Sequence, residues 1–346
     1  MTTTTSRTTP GGAGATRART ARLLCSLLIG LALLALAVLA SVAFGSHPTS
    51  FGDVFDVLNG TADANTATVV ESRYPRTALG LLAGLCLAVA GTLMQGITRN
   101  PLADPGMLGI TAGASAGIVT ATAFFGVSGQ WGTVWWALPG ALLAGVLVHV
   151  IGSAGSGAGL VRLVLAGAVV TSVLTAYVQA VTLGLPKVFD SYRYWVVGAL
   201  GGRDFEVFLS VLPLAAAGLL LAVLLSSALN ALALGDESAA ALGTNPAALR
   251  AGGLVAATLL SAAATAAVGP IAFVGLAVPH IVRALAGIDF RAQIAFSAIV
   301  GPALLLFADV AGRLVLRPQE LMVGVVTAFL GAPALLLAVR RMKGGA

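Results

Sequence analysis

Residues 73–117 read RYPRTALGLLAGLCLAVAGTLMQGITRNPLADPGMLGITAGASAG. A long apolar run, 77–97, ends in a charged break at 99–109 that carries two prolines, and a second apolar run follows to 125. The runs are unbroken rather than alternating, which is the pattern of helices and not of strands. Each is close to the roughly 20 residues that cross a bilayer core about 30 Å thick. Lipid offers backbone amides no partner, so a crossing segment satisfies them within its own helix. This stretch therefore reads as two membrane helices joined by a rigid turn.

The rest of the chain extends that reading. Of 346 residues, 58% are hydrophobic and only 9% charged, against roughly a quarter charged in a soluble domain. Ten candidate spans emerge: 23–44, 77–97, 106–125, 133–152, 162–184, 206–225, 251–268, 270–286, 293–313 and 321–340. The span 270–286 is the shortest. Residues 1–22 are rich in Thr, Gly and Arg and read as a disordered tail. The first run, 23–44, exceeds the 7–15 residues of a signal-peptide core, so it is predicted to be the first membrane helix. With both termini in the cytoplasm, twelve basic residues fall inside and seven outside, the sense of the positive-inside rule. The expected fold class is an all-α integral membrane protein.

Charge and motif together exclude several functions. The net charge of +6 comes with no basic cluster interleaved with aromatics, so no nucleic-acid partner is expected. Cys25 and Cys86 lie within apolar runs and read as small hydrophobes. His47, His149 and His280 lack metal-ligand spacing. The phosphate-binding pattern GxxxxGK[ST] is absent, so this chain is not expected to hydrolyse ATP. Asp309 and Arg313 are four residues apart, a spacing that pairs them on one helix face. They read as a structural pair rather than a proton relay.

Two polar breaks stand out. In 99–109, Asn100 precedes Pro101 and Asp104 precedes Pro105. Asp and Asn cap helix starts, and proline suits the first helical position. Asp104 with Pro105 is predicted to open the third span, and Asn100 with Pro101 to stiffen the turn that holds Leu102. The second break, LALGDESAAALGTNPAALR at 232–250, is too polar to span. Asp236 is predicted to cap a short helix over 237–242, Gly243 to end it, and Asn245 with Pro246 to cap a second short helix. The pair would form a compact cytoplasmic knob.

These motifs resemble one family. Residues 73–117, VGPIAFVGLAVPHIVR (268–283), LLLFADVAGRLVLRPQELMVGVVTAFLGAPALLL (304–337), LALGDESAAALG and YWVVGALGG (194–202) are similar to the permease subunits of iron-siderophore, haem and cobalamin ABC importers. The resemblance covers about 23–341 and implies the type II importer fold, ten helices per subunit, in the bacterial inner membrane. It implies that Asn100, Pro101 and Leu102 form part of a cytoplasmic gate. By position a second gate falls on Gly159, Leu160 and Val161, where this sequence departs from the Ser- and Thr-rich segment of the cobalamin permease. It implies that the knob, 232–250, docks on a P-loop ATPase through Asp236, Glu237, Leu242 and Gly243. It implies that Arg73, Arg76 and Arg313, with Arg317, receive glutamates of an extracytoplasmic substrate-binding protein. The implied partners are paired ATPases carrying ATP and Mg, and a second or sister permease. The chain itself carries no cofactor or metal, and the substrate is a ferric siderophore or related chelate, with cobalamin or haem as alternatives. An ion-coupled carrier using Asp309 and His280 is the reading from another class.

Overall fold

A computed structural model describes residues 12–153 and 159–343, with side chains for 21–152 and 161–333. The described residues form fourteen α-helices: α1 (Gly12–Ala43), α2 (Phe51–Leu58), α3 (Ala64–Glu71), α4 (Arg73–Thr98), α5 (Ile110–Phe125), α6 (Gly129–Ser153), α7 (Gly159–Gly184), α8 (Pro186–Trp195), α9 (Phe205–Ala233), α10 (Asp236–Ala241), α11 (Pro246–Val268), α12 (Val274–Ala286), α13 (Phe290–Val315) and α14 (Val323–Lys343). Seven helices are long and apolar enough to cross a membrane, and three shorter apolar ones, Ile110–Phe125, Val274–Ala286 and Val323–Pro333, fall on the remaining candidate spans. The structure extends α1 back to Gly12, into the segment read from sequence as a tail, and residues 1–11 lie outside the described residues.

α4 is the axis of the bundle. It packs against α13, α11, α12 and α9, and 78% of its best apolar window is buried, against 6% for α1. The difference separates a core helix from one whose flanks are open. α4 can be central because its contact faces are small. A Cβ on Gly84 would strike the backbone of Pro302 and the Gly301 carbonyl on α13, and one on Gly91 would strike Gly275 on α12. Without a hydrophobic drive between helices in lipid, such close backbone approach supplies the packing energy. One buried polar contact pins the register: Thr92 and Ser297 hydroxyls lie 2.7 Å apart between α4 and α13.

The third and eighth spans depart from expectation. Asp104 does cap, accepting the Gly106 amide at 2.8 Å with Pro105 at the first position, but the turn that it caps is 3-10, over Pro105–Leu108. Gly109 then takes a left-handed conformation (φ 71°), and α5 begins at Ile110. The span expected at 270–286 starts at Val274, because Pro270 has no amide to donate and Gly269 and Phe273 both adopt positive φ. The end of α11 before the break is tied to the YWVVGALGG turn, Ala199 donating to the Val268 carbonyl at 2.8 Å, and α14 joins the same turn, Gly324 donating to the Gly198 carbonyl at 3.1 Å.

We call the end of the bundle where the apolar run of α1 begins the near end, and the end where α1 stops the far end. The turn 99–109 and α10 lie at the near end. α2, α3 and α8, which the sequence reading left as loops, lie at the far end.

Candidate functional sites at the two polar ends

At the near end, α4 finishes at Thr98 and Arg99 adopts a left-handed conformation (φ 49°, ψ 29°). Asn100 then accepts the Leu102 amide on Oδ1 at 2.9 Å, and its carbonyl accepts the Ala103 amide at 3.1 Å. The turn is thus held by its own hydrogen bonds, and Leu102 stays 40% exposed at its tip. The turn and the 3-10 segment pack on α7 where Gly167 passes the Met107 carbonyl so closely that a Cβ there would overlap it. An apolar cavity of about 260 Å³ opens beside the turn, lined by Met94, Thr98, Asn100, Met107, Val161 and Leu165 among others. Asn100 and Val161, from the two expected gate segments, therefore face one space. Gly159, Leu160 and Val161 form the first turn of α7. Gly159 and Leu160 lie outside the residues whose side chains are described.

The knob differs from its predicted form in two ways. α10 begins at Asp236 itself, and Gly235 (φ 118°) precedes it with no side-chain cap. The Asp236 carboxylate turns to two arginines instead: Arg99 donates to Oδ1 at 2.6 Å and Arg250 at 2.7 Å. The Arg250 hydrogen bond, with Arg99 behind it, holds the Asp236 carboxyl below the usual carboxylate range. Second, the predicted second short helix is the first turn of α11. Asn245 does cap it, accepting the Ala247 and Ala248 amides, but no breaker separates that turn from the membrane span. Gly243 ends α10 at φ 78° as expected. Leu234 and Leu242 stand 69% and 63% exposed around this short helix. Glu237 is exposed beside them.

At the far end the arginines build a network around the C-terminus of α1. Arg73 donates to the Val42 and Ala43 carbonyls at 2.9 and 2.8 Å, to the Thr49 hydroxyl and to the His47 carbonyl. Arg313 donates to the Ser41 and Phe44 carbonyls at 2.9 and 2.8 Å. A helix leaves its last carbonyls unpaired, and basic side chains there also meet the negative end of the helix dipole. Arg313 pairs with Asp309 at 2.9 Å, with both side chains 1% exposed, so the spacing read from sequence does bring them together. Asp309 is shared: Arg76 approaches its two oxygens at 2.8 and 3.0 Å. Arg76 also reaches Glu320 at 2.8 Å, and Ser46 donates to the other Glu320 oxygen at 2.7 Å. Burial is the largest single influence on the Glu320 carboxyl and pushes it up, but the Arg76 charge, the hydrogen bonds from Ser46 and Arg76 and the Arg313 charge together hold it below its ordinary range. Arg73 and Arg313 are therefore buried caps of α1 rather than free surface charges, while Arg317 is exposed.

A cavity of about 280 Å³ adjoins this network, lined by Arg73, Arg76, Arg203, Arg313, Asp204 and Glu320 among others. Sequence reasoning missed Glu320, because it meets Arg76 across 244 positions with no local signal. His280 is not brought to this end. Its Nδ1 lies 2.8 Å from the Leu276 carbonyl of its own helix, and the same carbonyl accepts from Gln95. Gln95 is about 28 Å along α4 from Arg76 at 1.5 Å per residue. Asp309 and His280 thus occupy opposite ends, which removes the geometric basis of a relay between them. Cys25 and Cys86 are unpaired, the first exposed and the second buried.

Seven long apolar helices and three shorter ones, with polar ends that carry a capped turn and an arginine network, define a multi-pass helical membrane protein. The chain belongs to the FecCD transport family, whose sequence profile matches residues 18–341. It is 45% identical over 320 residues to the ferric enterobactin transport system permease protein FepD of Escherichia coli (strain K12), covering 91% of this chain and 95% of that one. It is 34% identical to the hemin transport system permease protein HmuU of Yersinia pestis, covering 92% and 96% of the two chains. Among solved structures, an inward-facing metal-chelate type ABC transporter matches with a TM-score of 0.80 at 27% identity, over 92% of this chain and 98% of that one.

Proposed function

We propose that this chain is the permease subunit of an ATP-driven importer of ferric siderophores or related metal chelates in the bacterial cytoplasmic membrane. It crosses ten times, with both termini and the near end in the cytoplasm. Two copies, or one copy and a sister permease, enclose the pathway, which opens alternately outward and inward. The residue 100–102 turn and the first turn of α7 form the cytoplasmic gate. The near-end knob docks on a P-loop ATPase, which carries the ATP and Mg. The observation that supports this best is the pairing of a rigid turn and an apolar cavity with exposed Leu234 and Leu242 at a polar end. Exposed leucines in a water-facing segment suit a protein partner.

The substrate-binding protein docks at the far end. There Arg317 is open to a carboxylate, and Arg76 can exchange its half-exposed partner Glu320 for one. Arg73 and Arg313 serve from beneath, by fixing the end of α1. Arginine suits this role because its fork takes a carboxylate bidentately.

Ferric siderophore leads haem and cobalamin because the relative named for a ferric siderophore matches at higher identity than the one named for hemin. The test is uptake in a deletion strain under iron limitation, with labelled ferric enterobactin, hemin and cobalamin compared. Loss of ferric siderophore uptake, restored by the cloned gene, is the expected result. Loss of hemin or cobalamin uptake alone moves the chain to that branch. Uptake that survives ATPase inactivation but collapses with the proton gradient overturns the ATP-driven reading.

A further inference from the structure

The Arg99 side chain joins the near-end knob to the proposed gate turn. Arg99 sits immediately before Asn100, and its guanidinium NH2 donates both to the Leu232 carbonyl in the last turn of α9 and to Asp236 Oδ1, each at 2.6 Å. Arg99 therefore links the gate turn, the end of α9 and the start of α10. The conformation that aims it there is left-handed, which is uncommon for a residue with a Cβ. α10 itself is weakly moored. It lies between Gly235 and Gly243, both at positive φ, and Ala239 is its one buried residue. Its charged ties run through Asp236, to Arg99 on one side and to Arg250 of α11 on the other.

Arg99, Asp236 and Arg250 side chains are 39%, 47% and 26% exposed. Ion pairs this open to water add little to stability, so holding the fold together does not account for the arrangement. A force on α10, by contrast, reaches residues 100–102 through Asp236 and Arg99 with no further intermediary. We propose that Arg99 is the positioning residue that transmits displacement of α10 to the gate turn. This rests on the proposed reading of the knob as an ATPase dock and of the turn as a gate.

The test uses the full permease with its ATPase and binding protein in proteoliposomes, measuring ATP hydrolysis and substrate uptake separately. Arg99→Gln is expected to keep ATP hydrolysis within twofold of the parent while uptake falls at least tenfold. Arg99→Lys, which keeps a charged donor in place, is expected to retain most uptake. Arg99→Gly accommodates the left-handed backbone without strain but removes the tie, so it is expected to fold and to fail in uptake like Arg99→Gln. Asp236→Asn combined with Arg99→Gln is expected to lose less uptake than the product of the two single losses, the non-additivity of groups that share a contact. Parental uptake in Arg99→Gln, or losses that multiply in the double variant, overturns the proposal. Absence of ATP-driven uptake in the parent overturns the reading of function instead. The link is then read in the isolated permease, as the rate at which a maleimide labels Leu102→Cys. At least a fivefold change on adding Arg99→Gln supports the tie, and an unchanged rate overturns it.

Discussion

At the scale of single residues, charge placement decides most of what is unusual here. Asp309 is buried between Arg76 and Arg313, and removing one partner of a buried pair leaves the other charge uncompensated. Asp309→Asn is expected to destabilise the protein by about 3–5 kcal/mol, read as a lowered melting temperature in detergent. A melting temperature left unchanged by Asp309→Asn counts against a structural pair. Asp236 behaves differently because it is exposed. Its pKa is depressed, so its ionic contribution is complete above the ordinary carboxylate value of about 4 and fades only as pH falls through the depressed value. The uptake defect of Arg99→Gln is therefore expected to be the same at about pH 6 and pH 8, and a steep change between them would argue against the Asp236 contact. The pairing of Asp309 with Arg313 was legible from a spacing of four. The contacts of Arg76 with Glu320 and of Arg99 with Asp236 were not, since each joins separate helices or loops.

At the scale of elements, the small residues set how closely helices meet. Gly167 lets α7 pass the Met107 carbonyl beside the 99–109 turn. Gly167→Val is expected to push α7 from the turn and to cut uptake at least tenfold while the protein still reaches the membrane, as followed by transport and surface-fraction blots. Full uptake in that variant would mean that the contact is not needed. The open face of α7 continues from the near-end cavity through Val161, Leu165, Val169 and Val173, all exposed and spaced about one helical turn apart. In the proposed importer this stripe lines the pathway, so Val169→Cys is expected to react with a membrane-impermeant maleimide during turnover; an unlabelled cysteine would place the stripe against lipid. The apolar runs made the long helices readable. The 3-10 segment, the start of α12 and the fusion of the second knob helix into α11 were not readable. Positive-φ positions such as Phe273 are selected by neighbours, and an N-cap signal does not say how long its helix runs.

At the scale of the whole molecule, the bundle is asymmetric in burial and in chemistry. α4 is enclosed by its neighbours while α1, α7 and α9 keep broad apolar faces. The near end offers a knob and a turn in mechanical contact, and the far end a positively biased cavity above the capped end of α1. Charge reversal at Arg317 to Glu is expected to weaken binding-protein docking at least tenfold in a pull-down while leaving the ATPase attached. Loss of the ATPase in the same variant would place the two docking faces wrongly.

The sequence alone determined that this is a helical membrane protein, where its main apolar segments lie, and which motifs tie it to its family. Those properties are local, because hydropathy over about 20 residues and the chemistry of caps act within one segment. Only the tertiary structure decided that Arg73 and Arg313 cap α1 instead of standing free, that Asp236 answers Arg99 instead of capping α10, and that Asn100 and Val161 share a cavity. Such contacts depend on how helices cross. Crossing is set by the fit of small residues along whole helix faces, and no short window of sequence contains it.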